Sequence, residues 1–567
     1  KEASVDDWLA KMLDVVREGA ENGFAERDVE RAKQQILKQR ELSLTNTRAV
    51  AIDLSEWAAQ GDWRLFFLFR DRIEAVTAED VKAVAAKYLV RNNRTVGLFL
   101  PTQEAQRAEV PETPNVAAMV ADYQGREALS EGEEFDSSPE NVEARTTRED
   151  WAGLSVSLLP KKTRGGAVQL RLTLRYGALD SLKGKRTAAE LLGEMMTRGA
   201  GTLDHQGIQD ELSRLRATLN SAGEPGEVSF GLQTKREQLP EVIKLLGLVL
   251  REPTFPAAEL EVLRREVLAE LEQSATDPQA LGINRLRQKV SPYPAGDVRG
   301  TLSIQEQIEE YQKVSIEDIR KLYEEFVSGR AGELAIVGDF DPAEIVPVLK
   351  PIFADWTSEQ PYERLKQQYF VVTADSESIS TPDKANATYF AATTFPLSQA
   401  HADYPALEIG NFILGGGSLS SRLGDRVRQQ EGLSYGVYSG LSVQPIDERT
   451  SLTIMAIANP QNIPKVDEVI REEVERLLNE GITDEELAQA KSGYLQQQQV
   501  RRTSDGTLAA LLNHTSYTGR TMKFYSDLEA AVAALTREQV ETALKKHVDP
   551  KKFSVIKAGD FNKKPTE

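Results

Sequence analysis

Arg428 and Tyr435 stand seven residues apart in the stretch 414–440, LGGGSLSSRLGDRVRQQEGLSYGVYSG. A guanidinium and a phenol both stay protonated near neutral pH, and both donate hydrogen bonds. Aimed at one small volume, such a pair can steady an oxygen that becomes negative during acyl transfer. Each residue also has a plainer use. Arg428 can be a cation complementing the last turn of a helix. Tyr435 can be a strand aromatic with a satisfied hydroxyl. Residue type alone leaves both uses open.

The elements that position the pair follow from the same stretch. Gly415, Gly416 and Gly417 open it, and Leu419, Leu423 and Val427 then recur at helical spacing. One short amphipathic helix is expected, stopped by Gly432 and followed by a strand over 433–439. A helix-to-strand turn can point both side chains at a site whose other half lies elsewhere. The glycines are not a phosphate loop, because no Gly-Lys-Ser or Gly-Lys-Thr follows them. They read as a tight backbone turn before a helix.

Other chemistries find little support. The 567 residues include four histidines, His205, His401, His514 and His547, and none lies three or four residues from another. With no HExxH or HxxEH, no helix face offers paired imidazoles, so zinc held by this chain alone is not expected. No GxSxG elbow is present. The absence of cysteine excludes disulfides, thiolate metal sites and a cysteine nucleophile. A net charge of −19 argues against nucleic acid, which needs basic faces. It suits solubility and could attract basic peptides. No apolar run reaches the ~18 residues of a membrane-spanning helix. At about 150 residues per domain the length suggests roughly three or four domains.

Internal repetition supplies the organisation. Residues 22–39 (NGFAERDVERAKQQILKQ) lie on 480–497 (EGITDEELAQAKSGYLQQ), and 75–99 lie on 534–558. Residues 313–340 are a fainter third copy. Each of the last three is a capped helix, a turn and a strand, so a repeating unit of roughly 200 residues is expected. Residues 148–357 form one unit and 366–567 another. Residues 1–100 read as the rear half of a third, ending in a strand at 93–100. The acidic, proline-bearing segment 101–147 reads as a linker. Strands are expected at 150–160 and 167–176, joined by a basic hairpin tip at 161–164, and again at 370–374 and 387–395. The fold class is α+β, with tandem units of mostly antiparallel sheet packed against helices. Residues 1–100 would leave an apolar edge or helix face exposed, which calls for an N-terminal companion.

The LGGGxxSRLxxxVRxxxGLSY pattern, the LxxxGITDEELAQAK helix start, the paired units and the acidic linker together resemble the pitrilysin/insulinase zinc metallopeptidases, which include mitochondrial processing peptidase. The resemblance covers nearly the whole chain. It implies clam-like halves, each of two αβ units, enclosing a chamber that cleaves peptides. In such enzymes the first unit carries an inverted HxxEH zinc motif and a downstream glutamate, and the last unit supplies an arginine and a tyrosine. By position these are Arg428 and Tyr435. Ala189, Leu192 and Gly193 occupy the ligand and base positions of the 148–357 unit, and Glu270 falls at the third-ligand position. The resemblance therefore implies Zn2+ in a complete enzyme but not on this chain. It implies an N-terminal zinc-bearing portion or subunit and a peptide substrate as partners, and a bacterial periplasmic setting as the first choice of compartment. The alternative is a noncatalytic interaction or assembly subunit of the same family.

Overall fold

The computed structural model describes residues 5–97, 130–417 and 421–562. Two sheets carry the architecture, and they share one topology. The first runs β1(Thr147–Trp151), β2(Leu154–Pro160), β8(Gly332–Gly338), β3(Ala167–Arg175), β7(Glu227–Lys235), β6(Thr218–Glu224). The short ribbon β4(Gly199–Ala200)–β5(Leu203–Asp204) stands apart from it. The second sheet runs β9(Ser376–Ser380), β13(Ser554–Gly559), β10(Ala387–Phe395), β12(Thr450–Ala458), β11(Ser434–Val443). β1 has no counterpart in the second sheet; otherwise, in each, the last strand of the unit lies parallel to an early one (β8 with β2, β13 with β9) and antiparallel to the next in the sheet (β3, β10). Both units are thus α+β, mostly antiparallel, as the repeats imply. On one face of each sheet a continuous apolar core forms against that unit's own helices.

The opposite faces are covered reciprocally. Helix Pro278–Val290 belongs to the first unit by sequence but packs on β10 and β13 of the second. Leu286 and Val290 join Phe390, Met455 and Ile556 in one apolar cluster there. Thr388 Oγ1 donates to the carbonyl of Pro278 at 3.0 Å. A Cβ at Gly282 would come within 2.7 Å of the Phe390 ring, so the helix can approach this closely only as glycine. Helix Asp505–Tyr517 of the second unit makes the mirror contact on β2, β3 and β8 of the first. Leu508 and Leu512 sit with Leu159, Ala335 and Val337. The Asn513 amide donates to the carbonyl of Glu333 at 2.7 Å and accepts from Thr173 Oγ1 at 3.2 Å.

Helices Val5–Asn22, Glu26–Ser43, Thr47–Ala59, Leu65–Ala75 and Ala78–Tyr88 precede the first sheet. They meet it through polar pairs: Arg31 to Asp210 at 2.8 Å, and Glu41 to Arg216 and Lys235 at 3.2 and 3.1 Å. Several of their apolar residues are uncovered, with Trp8, Met12, Ile52 and Val84 all exposed.

Several expectations change. Residues 94–97 of the strand expected at 93–100 are not in a strand, and 98–100 lie outside the described residues. The strand expected at 150–160 is a hairpin, β1–β2, turned at Ala152 and Gly153 with φ of 56° and 103°. A Cβ at Gly153 would lie 2.0 Å from the carbonyl of Arg330, so only glycine fits that turn. β2 and β3 do not pair as a hairpin, because β8 enters between them. The expected strand at 370–374 is irregular, and β9 begins at Ser376. Within the segment read as linker, Pro139–Arg145 is a helix whose Val142 is fully buried beside Leu159 and Leu508. Residues 101–129 lie outside the described residues.

Replacing Asn513 by alanine strands the Glu333 carbonyl and the Thr173 hydroxyl in the seam between units. Denaturant unfolding should show a loss of about 1–3 kcal/mol, the cost of unsatisfied buried polar groups.

Candidate functional site

The second unit frames its edge strand with two stretches of π-helix. Helix Tyr404–Asn411 runs into the π turn Phe412–Gly416. A Cβ at Gly415 would sit 2.5 Å from the backbone nitrogen of Ser439, and one at Gly417 2.7 Å from the carbonyl of Phe412. Two of the three glycines therefore serve close backbone approach, with the Gly415 turn pressed against β11. Ser439 Oγ fixes that contact at 2.8 Å from Asn411 Oδ1. Residues 418–420, including Leu419 of the expected helix, lie outside the described residues. The chain resumes in the π-helical turn Gly424–Gln430, with Leu423 and Val427 buried in the core. Single π turns are uncommon and recur at functional sites.

Arg428 lies in this second π turn and is exposed. Its neighbours are tied down. Arg422 grips Glu486 with two bonds, at 2.6 and 2.9 Å, and donates to the carbonyl of Gly481 at 2.8 Å. Arg426 bonds Glu431. Among the described residues no hydrogen bond or ion pair engages the guanidinium of Arg428. Gly432, with φ of +62°, ends the turn as expected. Leu433 N then donates to the carbonyl of Val427 at 3.0 Å, and Gly432 N to that of Arg428 at 3.2 Å.

Tyr435 sits one residue into β11, on a bulge. Ser434 pairs with Ala458 and Gly436 with Ile457, so Tyr435 has no partner in the register. The Ser434 hydroxyl holds the bulge, 2.7 Å from the carbonyl of Ile457 and accepting from Gly436 N at 3.1 Å. Bulges at sheet edges re-aim a side chain, and Tyr435 is left 68 % exposed. β11 is the terminal strand of its sheet, so on one side no strand pairs with it among the described residues. Arg428 and Tyr435 are thus both exposed, on either side of the turn at Gly432. The sequence did not single out Arg422 and Ser434, which build this corner. The signal for Arg422 was the capping box at Thr483 and Glu486, whose acid it clasps.

The helix on which the resemblance places a zinc motif packs tightly against strand β6. In Arg186–Met196, Ala189 and Leu192 are fully buried. A Cβ at Gly193 would approach the backbone of Ala222 on β6 to 2.7 Å, and one at Gly223 the carbonyl of Ala189 to 2.0 Å. Strand β6 thus packs directly on this helix, and Ala189, Leu192 and Gly193 offer no ligand atom, so these residues do not fit a zinc ion. Glu270 is exposed on helix Ala257–Ser274.

Residues 313–494 match the family description "Peptidase M16 inactive domain", and residues 157–291 match "Insulinase (Peptidase family M16)". The chain belongs to peptidase family M16. It is 24% identical over 388 residues to "Non-peptidase homolog YmxG" of Helicobacter pylori, covering 67% of this chain and 86% of that protein. Its fold matches the M16 inactive domain from Pseudomonas fluorescens with a TM-score of 0.64 at 21% identity, over 73% of this chain and 97% of that one. It also matches the periplasmic protease PqqL from Escherichia coli with a TM-score of 0.60 at 14% identity, over 97% of this chain and 62% of that one. The inactive-domain match runs from the last helices of the first unit into the second and includes Arg428 and Tyr435.

Two polar cavities lie away from the Arg428–Tyr435 corner. The larger, about 500 Å³, sits at the joint between units, where Arg364 clasps Asp447 at 2.6 Å and Arg175 bridges Glu227 and Glu333. The smaller, about 200 Å³, is lined by Tyr404, Glu408, Tyr494 and Arg501. Burial pushes the Glu408 carboxyl up to about 7, against the opposing pull of its Tyr404 bond and of Arg501. A carboxyl raised in the folded state binds its proton more tightly than in the unfolded chain, so stability falls as pH rises toward 7. Melting temperatures measured between pH 5 and 8 should show that fall, and Glu408→Gln should flatten it.

Proposed function

We propose that this M16 chain is the C-terminal portion of a zinc-dependent endopeptidase that encloses and cleaves peptides. The zinc-bearing N-terminal portion or subunit lies outside these residues and supplies the metal-dependent hydrolysis. This chain supplies contacts to the substrate. The observation that carries the reading is the corner at Gly432. Two hydrogen-bond donors are exposed beside an open strand edge, and the neighbouring arginines are engaged elsewhere. An extended peptide adds to such an edge through its backbone. Arg428 and Tyr435 then donate to a carbonyl oxygen of that peptide and hold it as charge develops there.

The need for an N-terminal partner draws support from helix Thr47–Ala59. By the internal repeat it corresponds to Pro278–Val290 and Asp505–Tyr517, each of which buries its apolar face on the other unit's sheet. Thr47–Ala59 buries none of its residues. A sheet face of a companion αβ unit is the surface it is built to meet. The second reading, a noncatalytic assembly subunit, is favoured by the likeness to a protein named a non-peptidase homologue.

In an enzyme reconstituted with its zinc-bearing partner, Arg428→Ala should lower kcat about 10²–10³-fold, the usual cost of removing one transition-state donor. Tyr435→Phe should lower it in the same direction. Peptide cleavage at the wild-type rate by the Arg428 variant would favour the assembly reading. Ile52→Asp should weaken co-purification of the partner while leaving the melting temperature of this chain nearly unchanged, because Ile52 is exposed.

A further inference from the structure

Two histidines that linear spacing keeps apart meet in the fold. His401 lies in the turn before helix Tyr404–Asn411, and His547 is the last residue of helix Arg537–His547. Between them stands Asp403, 144 residues from His547 in the chain. Its carboxylate does not cap its own helix, although it occupies the N-cap position. It turns outward instead. Asp403 Oδ2 lies 2.8 Å from His547 Nε2 and 3.7 Å from His401 Nδ1. One ligand atom from each of the three residues falls within 4.8 Å of the others.

Ligand atoms around a tetrahedral zinc ion, bonded at about 2.0–2.1 Å, stand about 3.3 Å apart. Two of the observed separations, 2.8 and 3.7 Å, bracket that value. The rings are preset as well. His547 stacks near Phe395 with centroids 5.3 Å apart and is crossed at right angles by His401 at 5.5 Å. Its side chain is only 9% exposed, which limits the rotamers open to it. The amide of Asp403 donates to His401 Nδ1 at 3.0 Å, which fixes this nitrogen as the unprotonated one, and an ion bound there would take the lone pair that this bond now uses. His401 and Asp403 remain partly open to solvent, leaving room for a water in a fourth position. The ammonium of Lys546, 2.8 Å from Asp403 Oδ2, now occupies the cation's place. It rides on a flexible, half-exposed stem that can swing away.

We propose that His401, Asp403 and His547 form a site for one divalent transition-metal ion, zinc above all, which clasps the start of helix Tyr404–Asn411 to the end of helix Arg537–His547. Two imidazoles and a carboxylate suit zinc, copper and nickel and do not suit magnesium or calcium. The site is independent of the metal that the proposed N-terminal portion would carry. Its ion would stiffen the helix that leads into the Gly415–Gly417 turn under β11.

The test uses the full chain, stripped of metal with a chelator, dialysed, and titrated with Zn2+ by calorimetry and with Co2+ by visible absorption. One equivalent should bind per chain. Co2+ should give the intense d–d bands of a tetrahedral ion, and saturating Zn2+ should raise Tm by a few degrees. His401→Ala and His547→Gln should each weaken binding about tenfold or more. Lys546→Ala should tighten it, because it removes the competing cation. Circular dichroism checks folding, and His401→Ala, in a partly exposed turn, carries the result if His547→Gln does not fold. No binding by the wild-type chain at millimolar Zn2+ would overturn the proposal. So would binding that His401→Ala leaves unchanged, or that Lys546→Ala weakens.

Discussion

Each sheet in this protein is finished by a helix from the other unit. The physical constraint is that a twisted sheet has two apolar faces and one unit's helices cover only one of them. Pro278–Val290 and Asp505–Tyr517 close the second faces crosswise, so neither sheet is complete alone. The polar bonds in that seam include two that are buried, Thr388 to the Pro278 carbonyl and Asn513 to the Glu333 carbonyl. They fix the register of each helix on its sheet, because a shift by one residue would leave a buried amide or carbonyl without a partner. The joint cavity, with its Arg364–Asp447 and Arg175–Glu333 pairs, lies between the same two bodies and inherits its walls from this exchange.

On that fixed frame the site corner is built from departures from regular backbone. Two π turns, a left-handed glycine and an edge bulge occur within residues 412–436. Each changes the direction of one side chain relative to regular structure. The Gly415 turn brings helix Tyr404–Asn411 hard against β11, and Arg422 pins the next turn to helix Asp484–Arg501. In the first unit the equivalent space, between helix Arg186–Met196 and edge strand β6, is sealed by Gly193 and Gly223. The two units share a topology, and in both a glycine brings the helix close to the edge strand, Gly193 at Ala222 and Gly415 at Ser439.

The same exchange rule bears on the N-terminal helices. A segment that repeats the rear half of a unit carries its version of the crossing helix, and Thr47–Ala59 has no sheet to cross onto among the described residues. In the proposed assembly that sheet belongs to the companion portion. The contacts these helices do make with the first unit, Arg31 to Asp210 and Glu41 to Arg216, are partly exposed ion pairs of the kind that contribute little stability.

The sequence by itself determined the α+β fold class and the family likeness, because capped helices, glycine stops and strand periodicity are local signals. It missed helix Pro278–Val290, split no hairpin at Gly153, and paired β2 with β3. Those depend on which surface a segment meets, and the partners are distant in the chain. The bulge under Tyr435 and the meeting of His401, Asp403 and His547 were decided only by tertiary structure. A bulge has no residue signature of its own, and side chains 144 residues apart become neighbours only when two helices pack.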